Sequence, residues 1–168
     1  AIGNGFAAVA ATGMNETAGA VYVFRFTDGA WVQEAMLAPE GLTAGANYGY
    51  ALLAGDHTLL VGAPARAVGG FSREEITEVG AVYSYRYEDG AWSDAEQIGP
   101  QGVSEGGAFG GSLSASGNRI AVGAPMDNQG AGSVSLFEWD AESSSYANDG
   151  RLAPFVAGRS QFGSFVSL

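Results

Sequence analysis

Side chains that could carry out catalysis are sparse in this sequence. It has a single histidine, His57, and no cysteine, which excludes thiol nucleophiles, disulfides and thiolate metal sites. His57 follows Gly55-Asp56 in a segment typical of a tight turn, and the sequence places no serine–histidine–aspartate grouping around it. We interpret His57 as a solvated turn residue and predict no catalytic residue in the chain.

Side-chain oxygens that could hold a metal ion are scattered along the chain. Asp127-Asn128, and Asp140 with Glu142, could lend oxygens to a cation. A calcium ion needs roughly six to eight oxygen ligands, and these residues are equally typical of turns and solvated charges. We interpret them in the second way and predict neither a metal site nor another cofactor.

Two tryptophans and one asparagine allow other kinds of recognition. Trp31 and Trp92 follow Asp-Gly pairs at equivalent positions, which predicts packing between sheets, with sugar stacking as the alternative. Residues 15–17 read Asn-Glu-Thr, the acceptor sequence for N-glycosylation, so Asn15 is a candidate modification site in a eukaryotic secretory protein.

Composition narrows the possible partners. The net charge is −11 and the sequence has no lysine, which argues against binding to nucleic acid or to an anionic membrane surface. No apolar run reaches the roughly 18 residues that a membrane span needs, so we predict no membrane insertion. An acidic surface fits a secreted protein and a salt-tolerant one equally well.

Short apolar strands and glycine-rich turns must position these residues. Residues 27–31 and 88–92 are nearly identical, and an Asp-Gly pair between apolar runs predicts a β-hairpin. Residues 21–24, Val-Tyr-Val-Phe, are apolar on both faces, as expected for a strand in a sheet sandwiched between two neighbours.

The strand pattern repeats along the chain. An aromatic-Gly pair begins at positions 48, 109 and 162, and a glycine precedes a β-strand pattern at 19, 80 and 132. This period predicts an all-β fold, a β-propeller segment of about three four-stranded antiparallel blades. A two-sheet sandwich is the alternative, but it does not explain the period. The predicted blade units are approximately 1–47, 48–108 and 109–161, with 162–168 as the first strand of a further or split blade.

The two ends of the chain resemble the halves of one hairpin. Residues 162–168 followed by 1–12 align with residues 109–125, with two extra residues at the turn. The pattern therefore predicts a segment cut within a blade. Because known propellers have roughly four to eight blades, closure requires either the rest of a longer chain, which we expect, or head-to-tail copies of this one.

Two motifs resemble a known repeat. Phe109-Gly110 with residues 123–125 (Gly-Ala-Pro), and Tyr48-Gly49 with residues 62–64 (Gly-Ala-Pro), resemble the FG-GAP repeat of integrin α subunits and secreted bacterial propellers. The first unit departs from the motif, with Ala-Ala-Thr at 10–12. The resemblance implies an extracellular or cell-surface location and a role in adhesion.

Integrin-type repeats often carry a calcium loop, but the matching turns here, at 3–5, 55–57 and 116–118, each offer one side-chain ligand at best. We therefore predict no calcium site.

One loop is longer than its counterparts. The segment from Pro64 to Gly80 is nine residues longer than the segments 12–19 and 125–132. Insertions in repeat proteins map to loops on one face, often the binding face, and the resemblance places this loop on the ligand-facing side. A tolerated surface insertion is the alternative. The candidate ligand-binding residues in this loop are Phe71, Arg73, Glu74, Glu75 and Ile76.

The function that these observations favour is a non-catalytic binding, adhesion or assembly scaffold that displays loops from a propeller. Its partner would be a protein or a carbohydrate, together with the remaining blades of the propeller. One alternative is a polysaccharide-active propeller enzyme or its accessory domain, which would need convergent acids, a base or a metal site. A second alternative is an architectural subunit of an extracellular assembly.

Overall fold

The computed structural model describes residues 1–65, 78–155 and 158–168. In these ranges the chain forms three antiparallel sheets, and its two helical segments are single turns. The predicted all-β fold is confirmed. We refer to the three sheets, in chain order, as blades 1, 2 and 3.

Blade 1 has three strands in the order β1-β2-β3. They are β1 (Phe6–Ala11), β2 (Ala20–Thr27) and β3 (Ala30–Leu37). The β2–β3 turn has positive φ angles at both central residues, 52° at Asp28 and 83° at Gly29, which is the tight hairpin turn that an Asp-Gly pair predicts.

Blade 2 has the four predicted strand positions, but its last strand is interrupted. Its strands are β4 (Ala51–Ala54), β5 (Thr58–Ala63), β6 (Ala81–Glu88), β7 (Ala91–Trp92) and β8 (Glu96–Ile98). Both β7 and β8 pair with β6, so together they occupy the fourth position. Residues 93–95 separate them.

Blade 3 is the most regular sheet. It contains β9 (Ser112–Ser116), β10 (Arg119–Ala124), β11 (Ser133–Asp140) and β12 (Ser145–Leu152), in the spatial order β12-β11-β10-β9. The stretch with the most complete repeat motif, residues 109–125, therefore contains its first hairpin, β9–β10.

Successive blades are joined by backbone hydrogen bonds at each aromatic-Gly pair. The N–H of Tyr48 donates to the carbonyl of Ala18 at 2.9 Å, and the N–H of Phe109 donates to the carbonyl of Val79 at 2.9 Å. A third bond, 3.0 Å long, runs from the N–H of Phe162 to the carbonyl of residue 131. We call this backbone hydrogen bond at an aromatic-Gly pair a joint, and it occurs three times.

A glycine is required on the other side of each joint. Gly19, Gly80 and Gly132 have φ angles of 97°, 96° and 84°, which side chains rarely allow. A Cβ atom on any of the three would overlap the carbonyl oxygen of the aromatic residue opposite. The glycines that define the sequence period are therefore points of close backbone approach between neighbouring units.

The core lies between the blades. One cluster fills the space between blades 1 and 2, around Tyr48, Val21 and Val61, and a second fills the space between blades 2 and 3, around Phe109 and Val122. In the first cluster the Tyr48 hydroxyl donates to the Tyr85 hydroxyl at 2.6 Å. Burial raises the pKa of Tyr85 to about 12.

The ends of the chain lie where first strands belong. Ala1 exchanges two backbone hydrogen bonds of 2.9 Å with Ala8, and Ile2 bridges Ala7, so these residues occupy the last two first-strand positions of blade 1. Residues 162–168 start a first-strand position beside blade 3, where Phe162 bridges Gly132.

Candidate functional site: the loop end of the blades

The blades have two ends with different contents. At one, which we call the loop end, each second strand stops, the third begins, and the linkers between blades cross. At the opposite end, the turn end, lie the tight turns between first and second strands and between third and fourth strands. Ala65 and Glu78, on either side of the predicted ligand residues, lie at the loop end.

The loops after β1 and β10 have the same backbone. Each contains a single helical turn, α1 (Met14–Thr17) and α2 (Asp127–Gly130), whose two central residues are left-handed. The φ angles are 49° and 56° at Asn15 and Glu16, and 48° and 62° at Asn128 and Gln129. Asparagine tolerates this conformation better than most residues, which accounts for its presence in both loops.

The left-handed turn exposes the Asn15 side chain to solvent. Exposure is what attachment of a glycan requires. Glycosylation of Asn15 stays a prediction.

Asp127 fixes the loop of blade 3 from inside. Its side chain is 0% exposed. One carboxylate oxygen accepts hydrogen bonds from the Ser104 N–H at 2.9 Å, the Ser104 hydroxyl at 2.7 Å and the Asn128 N–H at 2.8 Å. The other accepts from the Ser133 hydroxyl at 2.6 Å and from the Arg151 guanidinium. The interpretation of Asp127 as a solvated charge was wrong, because the fold brings its partners together from three other segments.

The charge of Asp127 is compensated within the fold. Burial by itself would raise the pKa of this carboxyl group, but the hydrogen bonds from Ser133 and Ser104 and the charge of Arg151 outweigh it, and the pKa lies below its usual range. The carboxylate therefore ties together the loop, the linker before blade 3 and strand β12.

The extended loop of blade 2 has both ends fixed. The N–H of Ala65 donates to the carbonyl of Ala46 at 3.0 Å, and the Glu78 carboxylate accepts from the Thr43 hydroxyl at 2.7 Å. The five predicted ligand residues, Phe71, Arg73, Glu74, Glu75 and Ile76, lie outside the described residues.

A groove lies beside the two fixed ends of this loop, between the linker 38–50 and strand β6. Its volume is about 410 Å³, and Glu40, Thr43, Glu78, Tyr83 and Gln97 are among its lining residues. A second hollow of about 690 Å³ shares Glu40, Tyr83 and Gln97 and continues along β3 and β7. Burial, followed by the charge of Glu78, raises the pKa of Tyr83. These groups can donate and accept hydrogen bonds, and none carries a positive charge.

The structure does not gather the other candidate residues. His57 is exposed at the turn end, between β4 and β5, and its carbonyl accepts a hydrogen bond from the Tyr87 N–H at 2.8 Å. Asp140, the last residue of β11, accepts hydrogen bonds from the Glu142 N–H and the Ser143 hydroxyl of the following turn, as a turn former does. Within residues 1–65, 78–155 and 158–168, no three histidine, aspartate or glutamate side chains form a group that could hold a metal ion.

The two equivalent tryptophans differ in burial. The Trp92 ring packs edge-on against Phe6 of the preceding blade, with ring centroids 4.9 Å apart. Trp31, on blade 1, is 49% exposed. Packing between sheets thus holds for Trp92 and not for Trp31.

No helix in the part of the chain that the structure describes is long and apolar enough to cross a membrane.

Comparison with known families agrees with this architecture. Residues 92–137 match the FG-GAP repeat. The match runs from β7 into β11 and includes both the Phe-Gly pair at 109 and the Gly-Ala-Pro motif at 123, so the resemblance to FG-GAP repeats is confirmed. No curated protein matches the chain.

Sequence reasoning missed the cluster around Asp127. Ser104 and Arg151 lie 23 and 24 residues away from Asp127, and neither stands in a recognisable motif with it. The sequence offered only an indirect signal. The two equivalent loops differ at their first helical position, where α1 has the apolar Met14 and α2 has the charged Asp127.

Proposed function

We propose that this chain is a segment of a non-catalytic β-propeller scaffold that binds a protein or a carbohydrate through its loop end. FG-GAP repeats are typical of propeller-type binding and adhesion domains at the cell surface or outside the cell, and we extend that location to this protein. The acidic composition fits such a location.

The proposal rests on the loop after β5, which is extended while the corresponding turns and the joints between blades stay the same. The same backbone turn follows β1 and β10, and the same joint links each pair of blades. Only the loop after β5 is longer, by nine residues, and hydrogen bonds fix its neighbours Ala65 and Glu78. A rigid framework that carries one enlarged loop is how binding surfaces are commonly built.

The groove beside the loop supplies the chemistry of recognition. Two carboxylates, a phenol and an amide line it, and these groups suit hydroxyl-rich or basic ligands. We therefore expect a ligand with hydroxyl groups or with positively charged side chains.

A loop-replacement experiment tests the proposal. In the test variant, residues 65–79 are replaced by the shorter segment between Pro125 and Gly132. The probes are a glycan array and immobilised collagen, fibronectin and laminin. The control is His57→Ala, an exposed change at the opposite end of the blades.

We expect the wild-type chain and His57→Ala to bind the same probe, and the loop replacement to lose at least about tenfold in affinity. Unchanged binding after loop replacement would refute the loop end as the binding surface. Cleavage of a glycan by the wild-type chain would refute a non-catalytic role.

A further inference from the structure

At the turn end, the same side-chain contact joins blade 1 to blade 2 and blade 2 to blade 3. The Arg25 guanidinium lies 3.9 Å from the centre of the Tyr87 ring, and that of Arg86 lies 4.3 Å from a ring centre of Trp139. Both arginines occupy the same third-strand position, opposite Phe6 and Thr58 of their second strands. A cation over an aromatic face is attracted by the ring's electrons.

The receiving aromatic residue always belongs to a cross-strand pair. Tyr87 pairs with Trp92, and Trp139 pairs with Tyr146. In the first contact, Glu34 holds the Arg25 guanidinium through bonds of 2.5 and 3.0 Å and accepts a 3.0 Å hydrogen bond from the Trp92 ring N–H. The arginine is thus fixed over the pair and not merely near it.

Blade 1 carries the same aromatic pair without an arginine. Phe26 and Trp31 are cross-strand partners, with ring centroids 5.2 Å apart and an angle of 58° between the ring planes. The Tyr87–Trp92 pair has values of 5.3 Å and 58°. Phe26 and Trp31 are 53% and 49% exposed, and no arginine among the described residues lies over them.

The rest of this face repeats the pattern. Val9 on β1 corresponds to Val61 and Val122 in the other blades. Val61 and Val122 are 0% exposed because the preceding blade covers them, whereas Val9 is 53% exposed. At the Val9 position the uncovered face of blade 1 therefore carries the same residue as the two faces that another blade covers.

We infer that Phe26 and Trp31 form a receiving site for an arginine guanidinium, supplied by the third strand of an adjoining FG-GAP blade. The two arginine–aromatic contacts within this chain, Arg25 with Tyr87 and Arg86 with Trp139, show what the adjoining blade would supply. It places an apolar strand face over Val9 and an arginine over the Phe26–Trp31 pair.

The chain's own blade 3 lacks the matching arginine. Glu138 stands at the position of Arg25 and Arg86, opposite Arg119. Arg119 forms ion pairs with Glu138 at 3.5 Å and with Asp149 at 3.1 Å, which hold its guanidinium on its own blade. A carboxylate facing an aromatic pair gains no cation–π attraction, so blade 3 is a poor partner for blade 1.

This mismatch provides the experiment. The variant Arg119→Thr/Glu138→Arg gives blade 3 the Thr58–Arg86 pair of blade 2 and turns the chain into its own partner. The control, Arg119→Thr/Glu138→Gln, removes the same charges without supplying a guanidinium. Both are compared with the wild-type chain by sedimentation equilibrium, and each is also made with Trp31→Ala. Thermal unfolding verifies that every variant folds, and Arg119→Thr/Glu138→Lys replaces the arginine variant if that one does not.

We expect the arginine variant to self-associate about tenfold more strongly than the glutamine control, and Trp31→Ala to abolish the difference. Equal association of the arginine and glutamine variants would overturn the inference, as would a gain that survives Trp31→Ala. Wild-type association that depends on Trp31 and Arg119 would also overturn it, because the occupant would then be the second strand of another copy.

Discussion

The two ends of the blades hold the same sheets together by different means. At the loop end, all three joints consist of a backbone hydrogen bond of 2.9–3.0 Å beside a glycine that admits no Cβ atom. At the turn end, the contact consists of side chains, and it changes from Arg25 to Arg86 to Glu138 along the chain. The loop-end joint is therefore the same at each position, whereas the turn-end contact differs from blade to blade.

Replacing a joint glycine should have the largest effect. In Gly80→Ala, the added methyl group meets the Phe109 carbonyl, and the backbone is held at a φ angle of 96°. We expect the free energy of unfolding to fall by about 3 kcal/mol, measured by denaturant titration.

Gly99→Ala is the matched control, because a Cβ there meets nothing within 4 Å and its φ angle is not left-handed. If Gly80→Ala were as stable as Gly99→Ala, the joint would be adjustable, and the contrast between the two ends would be lost.

The Asp127 carboxylate should rank second, because it fixes the loop-end turn in blade 3, where blade 1 has Met14. Asp127→Asn keeps the shape but removes the charge that faces Arg151 and turns one acceptor oxygen into a donor. We expect a loss of about 2 kcal/mol in the free energy of unfolding at neutral pH. Met14→Leu, at the equivalent position of blade 1, is the control and should change stability much less.

The loss caused by Asp127→Asn should depend on pH in a defined direction. The pKa of Asp127 in the fold lies below its usual value of about 4, so its stabilisation is fully present above that value. It disappears as the pH falls through the lowered pKa. The stability difference between wild type and Asp127→Asn should therefore shrink below about pH 4. A constant difference across this range would contradict the ionised state of Asp127.

The turn-end contact should have the smallest effect on stability. Arg86→Ala removes a cation from the Trp139 ring on a partly exposed surface, and we expect a loss of about 1 kcal/mol. A double-mutant cycle with Trp139→Leu should assign most of that loss to the pair. Arg119→Ala, at the same end but with no aromatic ring opposite it, should show no coupling to Trp139→Leu.

The sequence predicts most of the scaffold because local residues encode it. The Asp-Gly hairpins and the glycine period place the strands and joints where the structure has them. The Trp31 and Trp92 segments are nearly identical, yet one side chain is exposed and the other packs against Phe6. The two tryptophans differ because a preceding blade covers Trp92 and none of the described residues covers Trp31 in the same way. The sequence around each tryptophan does not contain this information.

The predicted ligand site depends on information of another kind. Counting residues in the sequence is enough to show that the loop after β5 is longer than its counterparts in the other two units. The buried state of Asp127 follows only when Ser104 and Arg151 meet it in the folded chain. The groove beside Glu78 arises in the same way, from a linker that crosses strand β6.

The backbone joint also has a consequence for how such chains evolve. A joint made of one main-chain hydrogen bond and one glycine does not depend on the other side chains of the unit that follows. The same joint recurs although the units differ in sequence, for example at positions 10–12, where Ala-Ala-Thr replaces Gly-Ala-Pro. Gene duplication can lengthen such an array first, and the order of its units can be refined afterwards by changes at the turn end.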